Sequence, residues 1–213
     1  MPRIKMLLVT SVSKSSKKAD TTFYTQDGEK FFRSKIDKNT SNTLKQQMQR
    51  TRFGELGRIC RALVRVLEVS MPRRAQGISP SNEFMRINDS LVTVGEDLEV
   101  TVNYPELQLG NWDDRDLPES LTVSADAEAH TLTFVHGAEE YGAYADPGDR
   151  LYAALYNPVL RRSALYELNT RGDTEPVTVG VPRRWEMGDV QVYVFVLSED
   201  GRYGSLSEYV TVE

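Results

Sequence analysis

The chain has 213 residues, 39% hydrophobic and 27% charged, with one cysteine and a net charge of −5. That is ample for a core and allows one or two domains, while one cysteine excludes a disulfide framework and a cysteine zinc site. The net charge hides an asymmetry: residues 1–80 carry 17 Lys+Arg against 6 Asp+Glu, and the remainder carry 9 against 25. Such opposed halves imply an electrostatic partner, either nucleic acid or the acidic half of a neighbouring copy, the latter favouring homo-oligomers.

The opening MPRIKMLLVT holds too short an apolar run for a signal peptide or membrane span, so the expectation is a protein made in a cytoplasm, with no membrane partner. Residues 4–13 read as a strand, followed by a basic polar loop, SKSSKKAD. TTFYTQ (21–26) and EKFFRSK (29–35) flank Asp27-Gly28, a strong hairpin signal because the turn needs φ > 0. The hairpin aromatics either pack under the next element or stack on bases as in single-strand binders; packing is the simpler role.

Thr40–Met71 reads as one long amphipathic helix, with Thr43 and Gln46 at capping-box spacing and Pro72 as its stop. Phe53, Leu56, Cys60, Leu63, Val64 and Leu67 share one face, which Ile59 and Val66 widen. Arg50, Arg58, Arg61 and Arg65 fall within an arc of roughly 80° on another face. A polar outer face is what packing alone predicts. The sharper reading is a docking stripe, since the guanidinium fork binds oxyanions bidentately. Gly54 and Gly57 each cost on the order of 1 kcal/mol within a helix, and mark a kink or a close approach. Leu44 and Met48 lie off the main face. Arg73 and Arg74 follow in the linker 72–78 and extend the basic docking surface.

Ser79 caps a short helix with Pro80 at its first position. Strands follow at 91–94 and 99–104, then the acidic loop NWDDRDLPES. From Leu117 the pattern is all-β, with strands at 121–126, 130–136, 150–157, 163–168, 176–181, 189–198 and 205–212. Their spacing argues for a β-sandwich. In 189–198, Val190, Val192, Val194 and Val196 line one face and Gln191, Tyr193, Phe195 and Leu197 the other, so this strand is central. The fold class is α+β: an N-terminal β-hairpin and long amphipathic helix, then a sandwich. The expected divisions are a basic docking region (1–78), a connecting region (79–116) and a sandwich domain (117–213).

No residue set spells out a reaction. His130 and His136, six apart on one predicted strand, lie roughly 20 Å from each other and read as surface residues. Asp113, Asp114 and Asp116, and Asp146 and Asp149, form acidic loops without EF-hand spacing, which read as solvated turns rather than calcium sites. There is no G-x-S-x-G elbow and no phosphate-binding glycine loop. The expectation is a non-enzyme, with no catalytic residue, metal or cofactor.

The segment VQVYVFVLSEDGRYGSLSEYVTV, with PVTVGVPRRWEMGD before it, resembles the closing strands of fibronectin type III and other Ig-like domains. FRSK, SNTLKQQMQRTRF, NYPELQLG and LYAALYNP…VPRRW…VYVFVLSEDGRYGSLS resemble, over nearly the full length, a family of similar-sized proteins from Bacteroidetes bacteria, their prophages and phages. That family has a glycine-rich start where this chain is Lys/Ser-rich, and it has no established activity. The resemblance implies a structural or accessory protein of a phage virion or related assembly, located in the virion or in the cytoplasm of the producing bacterium. Other copies of itself or other virion proteins would be its partners, docked through Arg50, Arg58, Arg61, Arg65, Arg73 and Arg74. The alternative is a nucleic-acid-binding protein that grips phosphate through Lys14, Lys17, Lys18, Arg33 and Lys35 together with Arg50, Arg73 and Arg74. A weaker alternative is a carbohydrate-binding sandwich using Trp112, Tyr141 and Tyr144.

Overall fold

The computed structural model describes residues 21–26, 28–34 and 42–212. The strand expected over 4–13, the Lys/Ser-rich loop after it and Asp27 lie outside that set. The chain divides into two compact units, Met1–Thr43 and Leu44–Glu213. In the first unit, β1 (Thr21–Gln26) and β2 (Glu29–Ser34) form an antiparallel hairpin with Tyr24 opposite Phe31. Gly28 takes φ +77°, as the turn requires. The Tyr24 and Phe31 rings stack across the strands at 5.5 Å.

The second unit begins with α1 (Leu44–Ser70), α2 (Pro80–Ile87) and a short antiparallel pair, β3 (Val92–Val94) and β4 (Val100–Val102). Thr43 stands directly before the first residue of α1. At α2 the expected cap is present: Ser79 Oγ accepts the Asn82 N–H at 3.1 Å. Seven strands follow: β5 (Thr122–Asp126), β6 (Thr131–Val135), β7 (Arg150–Asn157), β8 (Arg162–Thr170), β9 (Val177–Gly180), β10 (Gln191–Leu197) and β11 (Glu208–Val210). They form a four-stranded sheet, β11-β10-β7-β8, and a three-stranded sheet, β5-β6-β9, antiparallel throughout. The class is α+β and the strand-rich part is sandwich-like.

The four-stranded sheet is apolar on both faces because β7 and β10 alternate between two sets of large side chains. Ala153, Leu155, Val192 and Val194 pack with Val123, Leu132, Phe134 and Val179 of the three-stranded sheet and with Trp185. Tyr152, Tyr156, Tyr193 and Phe195 point the other way, into a core with α1, α2 and β3. Each fully buried valine, leucine or phenylalanine here contributes roughly 1.5–3 kcal/mol of burial free energy. β10 is therefore the central strand its alternation predicts.

The buried face of α1 is turned by about 50° from the expected stripe. Leu56, Ile59, Cys60, Leu63, Val66, Leu67 and Ser70 are buried. Phe53 and Val64, expected inside, are 49% and 39% exposed. The reason is that α1 meets both α2 with β3 and the strands β8 and β10, so Ile59 and Val66 are drawn into the core. A Cβ added at Gly54 or Gly57 would meet no described residue outside the helix's own nearby turns.

A buried strap closes the helix side of the core. Ser70 Oγ donates to the Leu109 carbonyl, and Ser207 Oγ accepts the Leu109 N–H at 2.8 Å. Gly110 passes so close to the chain that a Cβ there would collide with the Ser205 carbonyl oxygen.

Candidate functional site

A concavity whose charged lining is entirely arginine lies between α1 and the turn joining β7 to β8. It has a volume of about 650 Å³ and is lined by Arg58, Arg61, Arg65, Arg161 and Arg162 with Ala62, Val64 and Ser163. Three of these arginines come from α1, where positions 58, 61 and 65 project within an arc of roughly 60°. The other two come from the strand turn. Its position is set by three contacts: Asn157 Oδ1 accepts the Leu160 N–H at 2.7 Å, Ser163 Oγ donates to the Ala62 carbonyl at 2.6 Å, and Arg161 reaches Glu55 at 3.5 Å. Arg161 takes a left-handed backbone, φ 52°, a conformation costing roughly 1–2 kcal/mol for a residue with a Cβ.

The charges in this cavity are unequal. Glu55 pairs with Arg58 at 2.7 Å and with Arg161 at 3.5 Å, and is the only ion-pair partner that any of the five arginines has among the described residues. The side chains of Arg61, Arg65 and Arg162 make no hydrogen bond or ion pair with described residues. Beside this group, Tyr104 and Tyr156 stand with rings 6.0 Å apart. Burial, with the Glu55 charge added, pushes both phenols above their ordinary range. Burial likewise raises the Cys60 thiol, which contacts the Ser81 carbonyl at 3.8 Å and is a core residue, as expected. Five exposed apolar side chains belong to the same two elements: Leu44, Phe53 and Val64 on α1, Val159 and Leu160 on the turn.

Of the docking residues expected from sequence, the structure brings Arg58, Arg61 and Arg65 together. Arg50 is exposed on α1 and does not line the cavity. Arg73 is engaged elsewhere: it pairs with Asp114 at 3.4 Å, and its guanidinium lies 4.8 Å from the Trp112 ring and 5.2 Å from the Tyr203 ring. Arg74 donates to the Met71 carbonyl at the end of α1. Lys14, Lys17, Lys18 and Lys35 lie outside the described residues. Arg33 stands in β2 opposite Thr22, within the other unit. Arg161 and Arg162 escaped the sequence reading because they belong to the acidic half. Their one signal is a tandem arginine in the turn between two apolar strands, LYAALYNPVLRRSALYEL.

A second arginine cluster has the opposite character. Arg171 is fully buried beside Asp149, 1% exposed, at 3.6 Å; it also pairs with Glu139 and donates to the Asp116 carbonyl. Arg115 holds the other Asp149 oxygen at 3.1 Å. The loop expected to be a solvated acidic turn is thus partly an internal ion-pair network, and Asp149 is one of its buried anchors. A shallow cavity of about 520 Å³ beside it mixes both signs, with Arg115 and Arg150 against Asp146, Asp149, Glu199 and Asp200. Among the described residues no group of three or more His, Cys, Asp or Glu is placed to hold a metal ion.

The histidines differ from expectation. His130 lies in the turn before β6, at φ 59°, with its ring 3.3 Å from the Pro182 carbonyl. His136 is buried rather than superficial, and its Nε2 has no hydrogen-bond partner among the described residues. The strand is shorter than predicted, and the chain turns inward at His136 where Gly137 bonds to Ser120 Oγ. Trp112 donates its ring N–H to the Arg73 carbonyl and lies against that residue's guanidinium, whereas Tyr141 and Tyr144 are more than half exposed. No described helix is long and apolar enough to cross a membrane. Comparison with models of known families, with curated proteins and with solved structures found no match.

Proposed function

We propose that this protein is a non-enzymatic docking component of a larger assembly, and that it recognises an anionic partner through the arginine cavity between α1 and the β7–β8 turn. One observation carries this reading: five guanidinium groups line one concavity, and among the described residues Glu55 alone pairs with any of them. Core packing does not require such an excess, since α1 already buries its apolar face on the other side. Exposed Phe53, Val64, Val159 and Leu160 on the same two elements supply apolar contact area of the kind an interface core uses. The sandwich-like strands, read more finely as fibronectin type III-like, suit a rigid spacer or adhesive module. The phage resemblance of the sequence makes a virion or prophage-encoded particle the assembly to test first, with second copies of the chain among the partners.

The test is the mass of the purified protein by light scattering at low and high salt, together with co-sedimentation with a particle fraction. A defined oligomer or particle association that dissolves in salt is the expected result. A monomer at every salt concentration that sediments with nothing removes this reading. The same arginines favour nucleic acid as a second reading. It requires the affinity for a single-stranded oligonucleotide to fall steeply with salt.

A further inference from the structure

We infer that the arginine cavity is a binding site for closely linked phosphate groups, an oligophosphate either free or carried as the tail of a nucleotide. The inference rests on the docking reading to the extent that both assign the cavity to anion recognition, and it names the anion.

The first argument is charge. Arg61, Arg65 and Arg162 present to one space three guanidinium groups with no ionic partner among the described residues, and Arg58 and Arg161 add two more that share Glu55. A carboxylate carries one charge and satisfies one or two arginine forks. A terminal phosphate carries about −1.5 to −2 at neutral pH and offers three strong acceptor oxygens. Linked phosphates therefore match the excess where one carboxylate leaves most of it uncompensated.

The second argument is shape. Arg58 to Arg65 spans about 10 Å of helix axis, and the turn places two arginines across the cavity from that row. A row of donors of that length exceeds what one phosphate group occupies and suits several in series. The volume of about 650 Å³ is in the range of small-molecule sites.

The third argument concerns the lining. Among the described residues it holds no aromatic side chain to stack a nucleic-acid base and no carboxylate to anchor an amine or metal; Glu55, which pairs with Arg58 and Arg161, is not part of that lining. Arg161 also keeps a left-handed backbone in which glycine or asparagine is better tolerated, so its position is held for the side chain.

The experiment is calorimetric titration of the full chain with inorganic tripolyphosphate, with ATP, citrate and a single-stranded oligonucleotide as parallel arms. The variants are Arg65→Gln/Arg162→Gln, Arg65→Lys/Arg162→Lys, and Arg183→Gln, an exposed arginine outside the cavity. Circular dichroism melting establishes that each is folded. Saturable binding of tripolyphosphate is expected, at least about tenfold weaker in the double Gln variant, intermediate in the double Lys variant and unchanged in Arg183→Gln. ATP binding as tightly as tripolyphosphate assigns the site to a nucleotide tail; tripolyphosphate alone assigns it to free oligophosphate. The inference is overturned if tripolyphosphate fails to bind or citrate binds as tightly. It is equally overturned if the folded double Gln variant binds like wild type, or if the oligonucleotide binds and tripolyphosphate does not displace it. Particle docking without tripolyphosphate binding removes this inference and leaves the docking reading standing. Tripolyphosphate binding by a salt-insensitive monomer does the reverse.

Discussion

The molecule contains two arginine clusters built to opposite specifications. Around Arg171 every charge is matched: Asp149 lies between Arg171 and Arg115, Glu139 closes the far side, and the central pair is withdrawn from water. Between α1 and the β7–β8 turn, five arginines face solvent with Glu55 as their one ionic partner among the described residues. The same side chain thus serves two ends. Buried and paired, it fixes loops of the sandwich-like region, and removing one partner leaves an uncompensated charge in a poor solvent. Exposed and in excess, it contributes little to folding and holds a field that an outside anion can neutralise.

The largest expected effect tests the buried side. Arg171→Met should destabilise the fold by about 3–5 kcal/mol in urea unfolding, because Asp149 and Glu139 lose their common partner. A loss under about 1 kcal/mol would show that the two clusters differ in burial but not in function.

Alkaline unfolding separates both clusters from the tyrosine layer of the helix-side core. Arginine does not titrate there, but burial raises the phenols of Tyr156 and Tyr193. Their folded-state values lie above the unfolded one, so their contribution is complete below about pH 10 and is lost as pH rises beyond it. Each buried phenol should remove about 1.4 kcal/mol per pH unit once the unfolded chain ionises. Stability followed by fluorescence should therefore begin to fall above about pH 8.5, where the thiol of Cys60 ionises in the unfolded chain, and fall more steeply above about 10, by the same amount in wild type and in Arg171→Met.

Glu55→Gln sharpens the exposed side. Loss of its pairs with Arg58 and Arg161 should cost about 1 kcal/mol or less, while tripolyphosphate affinity rises several-fold because two more guanidinium groups are released. Unchanged affinity in calorimetry would mean that Arg58 and Arg161 take no part in binding. The smallest effect is that of Arg61→Gln on stability, within about 0.5 kcal/mol in thermal denaturation. A large loss there would place Arg61 among the structural arginines.

Local patterns were readable in the sequence wherever neighbours along the chain decide the structure. The strict alternation of Val192, Tyr193, Val194 and Phe195 announced a strand covered on both sides, and Ser79-Pro80 announced a helix start. Leu56, Cys60, Leu63 and Leu67 were legible as a buried stripe, but its centre was not. Periodicity gives the spacing of a face; the elements that meet it decide how far it extends toward Phe53 or toward Val66. The candidate site was half legible for the same reason. Arg58, Arg61 and Arg65 follow from helical spacing, whereas Arg161 and Arg162 join them through β8, about a hundred residues away. Dividing the charge by halves concealed them, because the acidic half supplies two of the cavity's five arginines. Arg73 shows the converse: adjacency to the basic stripe in sequence does not prevent it from being held by Asp114 and Trp112.

The doubly apolar sheet also constrains how the chain is made. The sheet-facing side of α1 is complete once Ser70 has been synthesised, but β7 begins at Arg150 and β10 only at Gln191. At ordinary elongation rates the gap between Ser70 and Arg150 lasts roughly 4–16 s. α2 and β3 arrive sooner and shelter only the flank they contact. During that interval the nascent helix carries Leu56, Leu63 and Leu67 without their sheet. Slow translation of residues 71–150 would extend the exposure, and this is the period in which a holding chaperone has most to protect.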